Sequence, residues 1–168
     1  MKSRENIKRL IIGAGNILLS DEGIGIHIIK ELENDASFND GTNAITEYVD
    51  IGTSSIDISA YLSEDTEKIV IIDSIISSDF TAGTVFKLTI EDLRKKQAKS
   101  FSLHQMELVD SLKLLSMTGR LPQILIIGVV PNDTDSFSLD LSFEMKSKLP
   151  QIMDKVKKEI LDFFNKNA

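Results

Sequence analysis

The chain contains no cysteine, which removes disulfides, thiolate metal sites and a cysteine nucleophile together. The absence fits a reducing compartment. Histidine is nearly absent too: only His27 and His104 could carry imidazole chemistry. No apolar run approaches the roughly 18–20 residues that a membrane span needs. The start, Met1-Lys2-Ser3-Arg4-Glu5-Asn6, is polar, contains an acid and lacks the form of a signal peptide. A cytoplasmic protein is expected. Basic residues are outnumbered, 19 against 26 acids for a net charge of −7, which argues against a general binder of nucleic-acid backbones. Several stock motifs are missing as well: there is no G-x-x-x-x-G-K-[ST], no G-x-S-x-G and no H-E-x-x-H.

What is present reads as one α/β domain over residues 1–168. The hydrophobic fraction of 42% with 27% charged residues is ordinary for a globular protein of this size. Lys8 to Gly13 is a β-branched and leucine run closed by glycine, hence a buried strand. From Gly23 to Leu32 the apolar residues Ile24, Ile28 and Leu32 recur every four positions and predict a helix, with His27 on its polar, solvated side. Further strands are expected over Ala44–Val49, Ile69–Asp73, Thr84–Leu88 and Ile124–Val130. Ser54 or Ser55 could cap a helix through about Leu62. Thr89-Ile90-Glu91-Asp92 and Ser102-Leu103-His104-Gln105 have the pattern of capping boxes that open helices. The segment Phe143–Lys148 precedes Pro150, and an amphipathic helix is expected beyond that proline, with the stripe Ile152, Val156, Ile160 and Phe163. Strands alternating with helices predict a largely parallel sheet covered on both faces.

The stretch Gly13-Ala14-Gly15-Asn16-Ile17-Leu18-Leu19-Ser20-Asp21-Glu22-Gly23-Ile24-Gly25 lies between the first strand and the first helix. As a dinucleotide loop it fails twice. Leu18 stands where the third glycine is needed, and Asp21 and Glu22 approach the helix N-terminus that a pyrophosphate would occupy. Ligand sites of open parallel sheets lie outside the carboxyl ends of the strands. Asp73 ends one strand there, and the loop after another carries Glu22 to the same edge. Taken singly, Asp73 reads as a turn cap and Glu22 as a first-turn acid. If Ser102 caps a helix, the dipole keeps the His104 ring neutral, as a metal ligand must be; otherwise His104 packs at a helix entrance. Two carboxylates and an imidazole suit a divalent ion such as nickel or zinc. Two carboxylates sharing a proton could equally activate water. Residue spacing does not choose between them.

The glycine-rich stretch closely resembles the N-terminal signature of the nickel–iron hydrogenase maturation endopeptidases. Asp50-Ile51-Gly52-Thr53 is similar to that family's second glycine loop, Ile69–Asp73 to its acidic strand end, and Ser102-Leu103-His104-Gln105 to its histidine motif. The likeness extends through Ile126-Ile127-Gly128-Val129-Val130-Pro131, in order along nearly the whole chain. It implies a three-layer α/β/α sandwich of the phosphorylase/hydrolase-like kind, with a mostly parallel or mixed central sheet. It also implies an endopeptidase that removes the C-terminal extension of a hydrogenase large-subunit precursor after nickel insertion. The nickel is then supplied by the substrate and recognised by Glu22, Asp73 and His104; hydrolysis is expected either from the metal polarising the carbonyl or a bound water, or from Glu22 and Asp73 as catalytic carboxylates. The enzyme is expected to be a cytoplasmic monomer with neither nucleic-acid nor membrane partners. Two readings from other classes stand beside it: a non-catalytic nickel-binding assembly factor and a nucleotide-binding α/β module. Two positions depart from the family pattern. Ala82 stands where proline is frequent, and Asn132 stands where the family often has Glu, which bears on substrate choice.

Overall fold

The computed structural model describes residues 8–38, 41, 44–53, 58, 60–88, 110, 117 and 122–166. Five strands form one sheet: β1 (Lys8–Ala14), β2 (Ile45–Gly52), β3 (Thr66–Ser74), β4 (Val85–Leu88) and β5 (Gln123–Val129). Their spatial order is β2-β1-β3-β5-β4. The first four of these positions run parallel, while β4 pairs antiparallel to β5, so the sheet is mixed. The three central strands are almost uninterrupted aliphatic runs because both faces are covered. In register, Leu10, Ile69 and Ile124 form one cross-strand row and Ile11, Val70 and Leu125 the next. Successive rows face opposite sides of the sheet.

Two helices cover one face: α1 (Ile24–Asn34) and α2 (Phe143–Asn165). Ile24, Ile28 and Leu32 of α1 join Ile11, Val70 and Ile127 of the sheet in a single core, which Met145, Ile152, Val156 and Ile160 of α2 complete. A second core on the opposite face gathers Leu10, Ile12, Ile69, Ile71 and Ile126 with Ile58 and Ile75. The helix expected after Thr89 falls outside the described residues, and so do most of those expected after Ser102 and Ser54.

Two sequence expectations need correction. The last helix does not wait for Pro150. It starts at Phe143, capped by the Ser142 hydroxyl, which accepts from the Met145 N–H at 3.3 Å, and it continues through Pro150. An interior proline costs a helix about 3 kcal/mol. Here the apolar stripe extends to both sides of it, with Met145 before and Ile152, Met153, Val156, Ile160 and Phe164 after, so tertiary burial outweighs the break. His27 is also not a solvated surface residue. It is half-buried, bonded to the backbone of Leu139 in the loop after β5, which lies over α1.

The far end of α2 is fastened to the start of β3. Lys68 is buried, and its Nζ donates to the carbonyls of Phe163 at 2.9 Å, Phe164 at 3.0 Å and Lys166 at 2.7 Å. These are carbonyls that a helix C-terminus leaves without intrahelical donors.

At the near end, the N-terminus of α1 sits directly on the strand ends. A Cβ on Gly25 would collide with the carbonyl oxygens of Ile72 and Ala14, backbone atoms of two different strands. Gly25→Ala is therefore expected to destabilise the fold by about 3 kcal/mol or more, as overpacking against backbone does. A urea or thermal denaturation curve checks this, and a midpoint equal to the wild type would refute the close approach.

Candidate active site

The carboxyl ends of β1, β3 and β5 lie side by side, with Gly13 in register with Ile72 and Asp73 in register with Gly128. Asp73, the next-to-last residue of β3, is buried at this edge. The chain leaves β1 through Gly15, whose φ of +132° suits glycine alone, and whose N–H donates to the Gly52 carbonyl at 2.9 Å. Asn16 then makes a local turn, its Oδ1 accepting from the Leu18 N–H at 3.0 Å. A 3₁₀ turn, Ser20–Gly23, follows and packs against β3. Glu22 is the half-buried third residue of that turn, three positions before Gly25 meets the Ile72 carbonyl beside Asp73. The structure thus carries both carboxylates to the same sheet edge. His104 lies outside the described residues, and among the described residues no group of three His, Cys, Asp or Glu side chains is placed to hold a metal ion.

The adjacent acids have separate fates. Asp21 has no exposed surface and turns inward. Its Oδ2 accepts from the N–H groups of Asn132 at 3.1 Å and Asp133 at 2.8 Å, and its Oδ1 from that of Ser142 at 2.7 Å. The same two segments are laced together by backbone bonds. Asp21 N–H donates to the Asp133 carbonyl at 2.9 Å, Ser20 N–H to Ser138 at 2.9 Å, and Ser138 N–H to Leu18 at 3.1 Å. Nothing in the local pattern around Asp21 signals this, since its three donors lie 111, 112 and 121 residues further along the chain.

The loop that Asp21 grips follows β5 and carries Asn132. There the backbone N–H, not the side chain, makes the bond to Asp21. Asp133 closes it with an Asx turn, accepting from the N–H groups of Asp135 and Ser136 at 3.1 and 3.0 Å; these bonds, with the Ser136 hydroxyl, hold its carboxyl below the usual range. Leu18, Phe137, Leu139 and Phe143 are exposed around this junction, a concentration of apolar surface.

A model of the hydrogenase maturation protease family matches residues 26–159 of this chain. The chain belongs to that family. The matched span includes Asp73 and begins after Glu22. Among relatives of this hydrogenase maturation protease, the hydrogenase 2 maturation protease of Escherichia coli is 32% identical over 127 residues, covering 75% of this chain and 74% of the relative. The structure superposes on the hydrogenase-maturating endopeptidase HybD from Escherichia coli with a TM-score of 0.72 at 27% identity, covering 89% and 90% of the two chains. For the [NiFe] hydrogenase maturation protease HybD from Thermococcus kodakarensis the TM-score is 0.68 at 30% identity, over 90% and 98%. The α/β fold with its mixed sheet is the fold of these proteases, and the chain is a peptidase. No helix among the described residues is long and apolar enough to cross a membrane.

Beneath the gripped loop, His27 bonds the backbone of Leu139, and its Nε2 is buried without a hydrogen-bond partner among the described residues. Burial, then Lys30 and Lys146, lowers its pKa, outweighing the Leu139 bond and Asp140. The fold therefore prefers the neutral ring. Below the unfolded value of about 6.5 the unfolded chain takes up the proton first, so stability is complete above that pH and falls as acid is added. His27→Gln should flatten the loss of urea midpoint between pH 7.5 and 5.5. An unchanged slope would show that His27 does not titrate against the fold.

Proposed function

We propose that this peptidase removes the C-terminal extension of a nickel–iron hydrogenase large-subunit precursor after nickel has been inserted, and that the nickel of the precursor is what it recognises. The observation that carries the reading is the delivery of Glu22 and Asp73 to one sheet edge in a chain of this family. A folded protein as substrate accords with the exposed apolar side chains around that edge, which a small substrate would not need.

In this scheme Glu22, Asp73 and His104 gather around the precursor's nickel. Two oxygen donors and one nitrogen suit a borderline divalent ion, and partial occupation of its coordination sphere leaves it bound to the substrate. Nickel serves selection, and the carboxylates serve hydrolysis. One of them takes a proton from water as its oxygen attacks the scissile carbonyl carbon. The C–N bond then breaks, and the departing amine receives a proton from the carboxylic acid so formed. The two products are the mature subunit with a new C-terminal carboxylate and a short peptide with a free amine. Asn132, where the family often has Glu, borders the site on the loop after β5 and is a candidate determinant of which precursor is accepted. The protein acts as a cytoplasmic monomer, one copy per precursor.

Mass measurement of nickel-loaded and nickel-free precursor, before and after incubation with the protein, tests the reading directly. Only the loaded precursor should lose its tail. Equal shortening of both removes nickel from the scheme, and an unchanged mass for both defeats the proposal. Asp73→Asn should lower the processing rate by about a hundredfold or more, the scale of a lost acid–base group, with the circular dichroism spectrum retained. Processing by this variant at the wild-type rate would remove Asp73 from the chemistry.

A further inference from the structure

Glu22 sits in the 3₁₀ turn that leads into α1. Neither the 3₁₀ turn nor α1 has a side-chain cap. Ser20 adopts a φ of +47°, a left-handed conformation that is unfavourable for a residue with a Cβ and persists only where surrounding structure imposes it. The surrounding structure here is the loop after β5. It supplies the Ser138 carbonyl to the Ser20 N–H at 2.9 Å, the Asp140 carbonyl to the Ser20 hydroxyl at 3.3 Å and the Asp133 carbonyl to the Asp21 N–H at 2.9 Å. In return it takes the Asp21 carboxylate onto three of its N–H groups. Charge-assisted bonds to a fully buried carboxylate are the strongest of this set.

From this we infer that Asp21 is a positioning residue for Glu22: its carboxylate fuses the Glu22 turn, the loop after β5 and the N-terminus of α2 into one unit, and that unit sets where the Glu22 carboxylate stands. The inference rests on the proposed role of Glu22 in processing, but its structural half can be measured without any substrate. Asp21 touches no reacting atom; it acts through the backbone. Asn at this position keeps the size but replaces one accepting oxygen with an NH₂ group that faces backbone donors, so at least one N–H loses its acceptor.

The test combines kinetics with amide exchange. Asp21→Asn should lower kcat for nickel-loaded precursor at least tenfold, with KM changed less than about threefold, because docking uses a wider surface than the turn. Amide exchange should accelerate in 17–23 and 132–142 together. Lys68→Met, which removes the tie at the opposite edge of the sheet, should lower the thermal midpoint while kcat stays within about twofold. Loss of kcat in Lys68→Met equal to that in Asp21→Asn would mean that activity only follows stability, and would overturn the inference. So would wild-type kcat or unaltered exchange in Asp21→Asn. Should that variant not fold, the wild-type protein decides alone. The amides of Leu19, Asp21 and Glu22 must open with the same urea dependence as those of Asn132, Asp133 and Ser142, and different dependences refute a single unit. If the wild-type protein cleaves no precursor, the proposed function fails and the exchange measurements still judge the clamp.

Discussion

A carboxylate with no exposed surface, held by three backbone N–H groups, is the contact on which the carboxyl edge of the sheet depends. Asp21 is expensive to bury, and its ionised form is tolerable only because each oxygen is bonded. Hydrogen bonds to charged groups contribute about 1.5–3 kcal/mol each, so the three of them rival the effect of a large core side chain. Surface pairs such as Lys8–Glu47 and Lys87–Glu159 have the same kind of charges but remain in water, where they contribute little. The difference is burial, and it explains why Asp21 organises backbone from three segments of the chain.

The glycines of the same stretch complement that contact from the opposite direction. They remove material where the chain must come close. A Cβ on Gly13 would lie 2.6 Å from the Gly25 carbonyl, and one on Gly25 would strike the carbonyls of two strands. Helix α1 can therefore start almost on the sheet. That arrangement uses up, for packing, the glycines that resemble a phosphate-binding loop in the sequence. The acids and the glycines answer to one geometrical demand, that a turn be seated tightly over the ends of β1 and β3.

Much of this was legible beforehand. Continuous aliphatic runs located β1 and β5 to within a residue and the core of β3, whose polar start at Thr66 lies three residues before the run, since strands buried on both faces admit little else. The strand-end rule assigns Asp73 and Glu22 to one edge from the sequence. What escaped was non-local. The role of Asp21 depends on donors more than a hundred residues away. The burial of His27 depends on a loop folding over α1, whereas periodicity sees only the helix itself. Pro150 misled because its local cost is real, and only the stripe from Met145 to Phe164 shows that packing outweighs it. The antiparallel entry of β4 was likewise invisible in a four-residue strand with no tight hairpin to announce it. His104 lies outside the described residues.

Helix α2 is fastened at both ends, by Asp21 to the segment entering its first turn and by Lys68 to its last carbonyls. Over 23 residues it spans about 34 Å, enough to cross the sheet from one end of the strands to the other. A chain built this way has a timetable. On the ribosome, β1 and the turn bearing Glu22 emerge among the first residues, yet the partners of that turn are made only after Asn132. The turn that bears Glu22 therefore cannot be fully seated while the chain is still being synthesised, and it takes its final form only as the last helix docks.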